Sequence, residues 1–546
     1  MDDIFMSLEK VKGMQRQYIM PLVLSYALIS MLVIQCSESK STGNVVGERD
    51  TDTDADGDAD ADTDAAGDVD TDSDADGEVD TDTDTDVDAG TASDADSDDE
   101  VIPDRGGDLD NSAYLGYQCW HFAKGDSRNS HPDIDDSTWS HWFNSPSTGS
   151  FTEIHGDMWP DFGDYEAAGV PLYETQMQYQ SGAPVKVYSC WDYETVDLHV
   201  KWLADYGLKG VFFQRQSLNI HSPKKRAEAD QVVLHLWRAC EKYKVKFSMM
   251  PCNNYKDKPG DDVEAMRQQL VDNIIGDWKY IVDELRLPGK PDYRIIDSPM
   301  YMYQEDTDGN PRPVIGLWGL GQDNRPMTAG DGQQIVDAFH NNDDYHVYIM
   351  GGVPVTWRTE PKSSAWVKIY KQIDMISPWR TIFSIDSADS VQQRMRDDIA
   401  YCYENGMDYN PVVSAGASTR HLRDEPDNRN WQPRLAGQHF WNQVYEVARA
   451  YANHEKTLGL KRQSLPRFLY LAMFDEIDEG TALYKQAETK KDLPVNDTGD
   501  PSGDLVPLNE DGTRLSSDFY LRLSKAGEEV LDGSRPLTDV VPIPAR

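Results

Sequence analysis

Four carboxylates lie within five positions of the sequence, at Asp475, Glu476, Asp478 and Glu479. They follow directly on an apolar stretch, FLYLAMF at 468–474, which has the composition of a strand buried on both faces. Carboxylates this close repel one another when all are ionised, so the pKa of at least one is expected to rise. A protonated carboxylic acid beside an ionised carboxylate can perform general acid and base catalysis near neutral pH. The alternative, a solvated acidic turn or a cation site, suits a surface loop better than the end of a buried strand.

Strand-like and helix-like stretches alternate from residue 111 onward. The predicted strands cover 114–122, 185–190, 210–215, 245–251, 314–319, 346–351, 375–379, 409–414 and 468–474. Amphipathic helices are predicted between them, over 196–206, 225–243, 262–285, 333–339, 391–403 and 437–454. Repeated βα units over this length predict a (β/α)8 barrel of the TIM type. A doubly wound parallel sheet is the alternative, although no G-x-G-x-x-G fingerprint follows the early strands.

A barrel of this type carries its functional residues at the C-terminal ends of its strands. The residues predicted at those ends combine aromatic rings with amides and charged groups: Trp120, His121, Trp191, Asp192, Gln214, Arg215, Asn253, Asn254, Trp318, Trp357, Arg358 and Trp379. Sugars stack their apolar faces on aromatic rings, while polar side chains bind their hydroxyls. This mixture predicts a glycan-binding groove at the mouth of the barrel.

The segment that holds the carboxylates, FDEIDEGT at 474–481, resembles the F-N-E-W-H-E-G-T segment of glycoside hydrolase family 99, the endo-α-mannosidases. It is still more similar to the bacterial exported proteins described as family 71/99-like. Further agreement comes from TVDLHVKWLADYGLKGVFFQR (195–215), MGGVPVTWR (350–358), DMISPW (374–379) and PRLAGQHFWNQ (433–443). The resemblance covers about residues 114–485 and implies a TIM-barrel glycosidase.

The resemblance also implies a role for each glutamate. Glu479 matches the general acid/base, and Glu476 matches the carboxylate that deprotonates the sugar 2-hydroxyl, whose oxygen then attacks the anomeric carbon. The product is a 1,2-anhydro sugar, a retaining variant of the paired-carboxylate mechanism. Asp475, Ile477 and Asp478 stand where the family has Asn, Trp and His, so the mannose specificity of family 99 does not carry over.

The predicted function is therefore a glycosidase that cleaves α-linked glycans with retention. Candidate substrate-binding residues are Trp120, His121, Trp191, Arg215, Trp357, Asp475 and Arg434. For Arg434 a structural ion pair is an equal alternative, and for His121 a place in the core. The competing function is a non-catalytic surface carbohydrate-binding protein on the same barrel, and a third interpretation is a family 71-like α-glucanase.

No cofactor and no metal are predicted, because the sequence lacks HExxH, P-loop, kinase, GxSxG and zinc-deaminase patterns. Six cysteines, Cys36 among them, show no C-x-x-C spacing, which argues against a zinc knuckle. One disulfide among the remaining five is an open alternative to buried free thiols.

The acidic character of the chain is concentrated near its beginning. The 546 residues carry a formal charge of −44, and 24 Asp and Glu with no Lys or Arg lie between residues 50 and 100, which leaves −20 for the rest. Such a surface repels a phosphate backbone, so a non-specific nucleic-acid binder is excluded. The segment has no aromatic residue, Leu or Ile. A disordered Asp-rich linker is therefore predicted over 37–110.

The first 36 residues have the features of an export signal. An uncharged apolar run of 16 residues spans 19–34, and Cys36 follows it. The residues LVIQC resemble a bacterial lipoprotein signal, except that Gln35 occupies a position where such signals have a small residue. The resemblance implies lipidation of Cys36 and a membrane anchor in the bacterial cell envelope, facing the periplasm or the exterior. Ordinary cleavage and an uncleaved signal anchor are the alternatives. The barrel is then predicted over 111–490, followed by an extension over 491–546 with a helix that packs on the barrel.

Overall fold

The computed structural model describes residues 105–546, apart from 135–136, 218, 254–261, 324, 343, 360, 380–387, 460–464, 497–498 and 500–504. The predicted signal segment with Cys36 and the linker up to residue 104 lie outside the described residues. Residues 105–110, assigned to the linker from the sequence, belong to the folded part. Arg105 donates to the carbonyls of Ile296 and Asp297 at 2.9 and 2.7 Å, and Leu109 is buried. Among the described residues, no helix combines the length and apolar character needed to cross a membrane.

The strands of the described chain are, in order, β1 (Ser112–Tyr117), β2 (Tyr173–Tyr179), β3 (Pro184–Val187), β4 (Gly210–Gln216), β5 (Lys246–Cys252), β6 (Tyr303–Glu305), β7 (Pro311–Trp318), β8 (Tyr348–Val353), β9 (Met375–Pro378), β10 (Asp408–Tyr409), β11 (Val412–Ser414), β12 (Phe468–Ala472) and β13 (Pro494–Val495). The α-helices are α1 (Gly163–Ala168), α2 (Tyr193–Asp205), α3 (Pro223–Tyr243), α4 (Val263–Asp283), α5 (Ala329–His340), α6 (Ser364–Tyr370), α7 (Ala388–Glu404), α8 (Arg420–Arg423), α9 (Gln438–Leu458) and α10 (Phe519–Asp532).

Nine strands of the main sheet are parallel and close on themselves, while β6 lies off this path and pairs antiparallel with β7. The order of these nine strands is β10-β9-β8-β7-β5-β4-β1-β12-β11, and only Asn410 and Pro411 separate the two end strands along the chain. The Asn410 amide donates to the Ile376 carbonyl at 2.8 Å, and the Tyr470 amide donates to the Pro411 carbonyl at 3.0 Å. Residues 408–414 therefore act as one broken strand that pairs with β9 on one side and β12 on the other. The result is an eight-stranded parallel barrel, which confirms the predicted TIM-type fold.

The barrel strands are apolar because both of their faces are covered. Every residue of β8 and of β12 is buried. Alternate side chains point into the barrel or outward to the helices. The inward set forms a cluster of its own that includes Tyr114, Phe212, Met250, Met350 and Tyr470. The interior is thus filled by side chains, and the strand ends remain as the place for a site.

A second, small sheet accounts for the one predicted strand that is not part of the barrel. The predicted strand 185–190 corresponds to β3, which is antiparallel to β2, and β2 also pairs with β13. The alternation of exposed and buried residues in β3, Pro-Val-Lys-Val, suits a sheet with one solvated face. Near the C-terminus, α10 packs against β1 and α9.

Candidate active site

The turn that follows β12 is buried and tightly fixed. Asp475, Glu476, Asp478 and Glu479 are all less than a tenth exposed. The amides of Thr481 and Ala482 both donate to the Glu476 carbonyl, at 3.1 and 2.9 Å. In a solvated acidic loop the carboxylates would be exposed to water. Here they are buried, so the protein itself holds these charges in place.

Gly480 allows this turn to approach its neighbour. Its φ is +67°, and a Cβ at this position would lie 2.6 Å from the backbone nitrogen of Ser418. A side chain would therefore be strained and would also clash with backbone. The Ser418 amide instead donates to the Glu479 carbonyl at 2.9 Å.

Asp475 joins the end of β12 to the end of β1. Its two carboxylate oxygens accept the backbone amides of Gln118 and Cys119 at 2.9 and 2.6 Å. Burial raises the pKa of Asp475 to about 6, although the two amides act in the opposite direction. The geometry makes Asp475 a positioning residue, since both of its oxygens are engaged by the protein.

Glu476 is held by two side chains. Gln118 Nε2 donates to its Oε1 at 2.6 Å, and Thr481 Oγ1 donates to its Oε2 at 2.7 Å. Burial and the negative charge of Glu479 raise the pKa of Glu476 to about 8. Two interacting carboxyls lose their protons in steps that belong to the pair. Glu476 therefore keeps a proton near neutral pH beside the negative charge of Glu479, which places an acid and a base side by side.

Asp478 lies among three histidines. His121 Nε2 is 3.0 Å from its Oδ1, His141 Nδ1 is 2.8 Å from its Oδ2, and His155 Nε2 is 3.6 Å from the same Oδ2. Burial alone would raise the pKa of Asp478, but its electrostatic interaction with His121 and His155 and the hydrogen bonds of His121 and His141 hold the pKa well below its usual range. Burial lowers the pKa of His141 to about 4 and also lowers that of His155. The candidate metal-ligand atoms of His141, His155 and Asp478 lie within 4.8 Å of one another.

A second carboxylate network supports the turn from the neighbouring loop. Asp157 accepts the backbone amides of Arg420 and His421 at 2.8 and 2.9 Å, and His421 Nδ1 lies 2.7 Å from its Oδ1. Ser418 also donates its hydroxyl to Asp157. Burial would raise the pKa of Asp157, but the hydrogen bonds of His421 and Ser418 lower it. This network fixes Ser418, whose amide supports Glu479.

Several predicted site residues surround the carboxylates. His121 contacts Asp478, and the Trp120 ring stacks on His141 with centroids 4.3 Å apart and planes 10° apart. Arg434 Nη2 donates to the carbonyls of Gly480 and Ala482 at 2.9 and 2.7 Å, while its guanidinium lies 4.6 Å from the centre of the Tyr520 ring. Arg434 thus supports the turn through backbone oxygens.

The contacts of the other predicted residues lie elsewhere. Arg215 is paired with Asp277 and Asp230 at 2.6 Å each, on the helix side of β4. Trp357 is buried against Tyr370 and Tyr401, and Trp191 Nε1 donates to Ser127 Oγ at 3.1 Å. Strand alternation explains Arg215, because its neighbour Gln214 points inward and accepts from Gln118 Nε2 at 3.3 Å. The structure therefore does not bring Arg215 or Trp357 to the carboxylates.

Some site residues were not singled out from the sequence. The residues concerned are polar and buried or half-buried: Gln118, His155, Thr481, Asp157, Ser418 and His421. All but Thr481 are distant in sequence from the carboxylates, His421 in the short helix α8 and the others in loops. Thr481 is the exception, because it belongs to the FDEIDEGT segment that also contains the carboxylates. The two segments that supply the other five residues have no periodic pattern that would reveal them.

Comparison with known proteins gives similarity at the level of solved structures. No protein-family model matches the sequence, and no curated protein matches it. The chain is similar to the family 99 endo-α-mannosidase of Bacteroides thetaiotaomicron, with 13% identity over 78% of this chain and 98% of that one and a TM-score of 0.49. It is also similar to a glycoside hydrolase-like protein, with 14% identity, coverage of 71% and 98% and a TM-score of 0.37. An exo-β-1,4-mannosidase of Opitutaceae bacterium strain TAV5 has 10% identity, coverage of 63% and 56% and a TM-score of 0.36.

The family that the sequence resembles is thus represented among the similar structures. The likeness concerns the fold, and the function must come from the residues of this chain's own site.

The raised pKa of Glu476 predicts how the stability of the protein depends on pH. The folded state keeps a proton on this carboxyl between its ordinary value of 4.5 and about 8, whereas the unfolded chain releases it. The unfolding free energy of the wild type should therefore fall, relative to that of Glu476→Gln, as pH rises through this window. Urea unfolding at a series of pH values measures the difference.

Glu166→Gln, on the exposed face of α1, provides the control, and its curve should run parallel to that of the wild type. A difference between wild type and Glu476→Gln that does not vary with pH would contradict the raised pKa.

Proposed function

We propose that the protein is a glycoside hydrolase that cleaves α-linked glycans with retention of configuration. The observation that carries this proposal is the pair Glu476 and Glu479, buried at the C-terminal end of a barrel strand, in which burial and the charge of Glu479 raise the pKa of Glu476 to about 8. A protein that only bound sugar hydroxyls would gain little from holding a carboxyl with a strongly raised pKa at that place.

In the proposed mechanism the two glutamates have separate tasks. When substrate binds, the proton of the pair passes from Glu476 to Glu479. Glu479 then donates it to the glycosidic oxygen as the bond to the anomeric carbon breaks, and the ionised Glu476 removes the proton of the 2-hydroxyl. The 2-oxygen attacks the anomeric carbon and forms a 1,2-anhydro sugar. Water then opens the anhydro ring at the anomeric carbon, Glu479 accepts the proton of the water, and Glu476 returns its proton to the 2-oxygen. Gln118 and Thr481 hold the Glu476 carboxylate in the orientation that this requires.

Substrate binding in this proposal depends on the aromatic residues beside the turn. The Trp120 ring stacks on His141, which contacts Asp478, and is therefore fixed in one orientation beside the turn. A fixed ring suits the apolar face of a sugar, because little side-chain entropy is lost on binding.

The test is a hydrolysis screen of the purified full chain against a panel of α- and β-linked polysaccharides. Release of reducing ends from an α-linked substrate supports the proposal, and the anomeric configuration of the first product, read by NMR, distinguishes retention from inversion. Binding of a glycan without any cleavage would replace the glycosidase by a carbohydrate-binding protein.

We also propose that the chain is exported and anchored by a lipid on Cys36 in the bacterial cell envelope. Cys36→Ser should abolish incorporation of labelled palmitate and move the protein from the detergent phase to the aqueous phase on phase partition. Ser37→Ala, which leaves the cysteine in place, should behave as the wild type does. Equal labelling of Cys36→Ser and wild type would contradict the anchor.

A further inference from the structure

Two histidine nitrogens face one carboxylate oxygen beside the catalytic pair. His141 Nδ1 and His155 Nε2 lie 2.8 and 3.6 Å from Asp478 Oδ2, and the candidate ligand atoms of the three residues are all within 4.8 Å of one another. Nitrogen and oxygen ligands around a tetrahedral ion at about 2.0–2.2 Å are about 3.3–3.6 Å apart. A metal ion could therefore be bound here with shifts of about an ångström or less.

The orientation of His155 gives independent evidence. Its ring is 4% exposed, and its Nε2 has no hydrogen-bond partner among the described residues. Asn144 Nδ2 donates to the Ile154 carbonyl at 3.5 Å, which leaves Asn144 Oδ1 to accept from His155 Nδ1 at 2.6 Å. With the proton on Nδ1, the lone pair of Nε2 points towards a carboxylate oxygen that is too distant for a hydrogen bond. Two electron-rich atoms in this arrangement repel each other, and a cation between them would remove the repulsion.

The surrounding residues orient the other two groups. His121 Nε2 contacts Asp478 Oδ1 at 3.0 Å and so keeps Oδ2 turned towards His141 and His155, while Trp120 stacks on the His141 ring. A bound ion would replace the proton that His141 Nδ1 and Asp478 Oδ2 now share in their hydrogen bond. Outer residues that fix the direction of imidazole and carboxylate ligands are a regular feature of metal centres.

We propose that His141, His155 and Asp478 bind a divalent cation of the zinc class. Two imidazoles and one carboxylate suit Zn²⁺, Co²⁺ or Ni²⁺, whereas Ca²⁺ and Mg²⁺ prefer oxygen ligands alone. Three protein ligands leave at least one coordination position for water or a sugar hydroxyl, as in catalytic zinc sites. This departs from the sequence-based prediction of no metal, since the ligands come from two loops and follow no ligand motif.

Cobalt binding to the full chain tests the proposal directly, because Co²⁺ bound to imidazole in a four- or five-coordinate site has intense visible absorption. Excess Mg²⁺ and Ca²⁺ in the buffer should occupy carboxylate-only sites in the Asp-rich segment. We expect one Co²⁺ per chain in the wild type and the loss of both absorption and stoichiometric metal in His155→Gln and in Asp478→Asn. His340→Gln is the matched control, since it removes another histidine paired with an aspartate, Asp374 at 3.0 Å, and should keep the metal. Equal cobalt absorption in wild type and His155→Gln would overturn the proposal.

A second measurement covers variants that fail to fold. Zn²⁺ should raise the Tm of the wild type and of His340→Gln above the value in Mg²⁺ alone. The same Tm for the wild type in both ions would also overturn the site. Neither experiment measures hydrolysis, so the metal site can fail while the glycosidase proposal stands, and the reverse is equally possible.

Discussion

Glu479→Gln is expected to lower kcat on an unactivated glycan by about 10²–10⁴-fold, the usual contribution of a general acid or base. Glutamine has nearly the same shape but cannot donate the proton that the leaving oxygen needs. Glu476→Gln should cause a loss of similar size, because the 2-hydroxyl then keeps its proton. Steady-state kinetics on the substrate found in the screen measure both effects.

The two roles can be separated with an activated substrate. A glycoside with a strongly acidic phenol as leaving group departs without protonation, so Glu479→Gln should regain much of its bond-cleavage rate on it. Glu476→Gln should stay impaired, since the attack of the 2-oxygen is still blocked. Glu166→Gln, on an exposed helix face, serves as the control and should match the wild type on both substrates. A Glu479→Gln enzyme with near-wild-type kcat on the natural glycan would refute the assignment.

Arg215→Ala is expected to lower the free energy of unfolding by about 3–5 kcal/mol, the cost of leaving buried charge without its partner. The Arg215 guanidinium is fully buried and bonds Asp277 through two nitrogens, at 2.6 and 2.9 Å, and Asp230 at 2.6 Å. Both carboxylates lose this partner in the variant, and Asp277 is itself buried. Urea unfolding at constant pH gives the value.

An exposed pair provides the comparison for this prediction. Arg294 donates to Asp297 at 2.9 Å with both side chains partly in solvent, so Arg294→Ala should cost about 0–1 kcal/mol. The activity of the Arg215 variant, per folded molecule, should stay close to that of the wild type. A large loss of kcat with unchanged stability would instead return Arg215 to the substrate site, where the sequence analysis placed it.

The fold was predictable because the barrel strands are short apolar runs separated by amphipathic helices. The exceptions have physical reasons. The 185–190 run is apolar enough for a barrel strand, yet its alternation fits the small antiparallel sheet better. The broken strand 408–414 reads as one strand in the sequence, and only hydrogen bonds on both sides show that it closes the barrel.

The candidate site was predictable only where its residues are consecutive. The turn with Glu476 and Glu479 follows a recognisable strand, so its position at the barrel mouth could be inferred. The direction of the Arg215 side chain at the end of β4 could not be inferred, since a shift of one residue along a strand reverses the direction of a side chain. The contacts of His155 and Asp157 depend on loop conformation, which local sequence does not determine.

Joining the first and last barrel strands through Asp475 also determines when the site can form during folding. The backbone of Gln118 and the carboxylate of Asp475 are 357 residues apart in sequence, so their hydrogen bond closes nearly the whole barrel. Contacts of such long range form late, because the chain must lose a large loop entropy before they are made. During synthesis, Glu476 therefore lacks its contact with Gln118 until β12 has paired with β1. Truncation before Phe468 removes β12, Asp475 and Glu476, the partners of β1 and Gln118, so the candidate site is complete only once this part of the chain is in place.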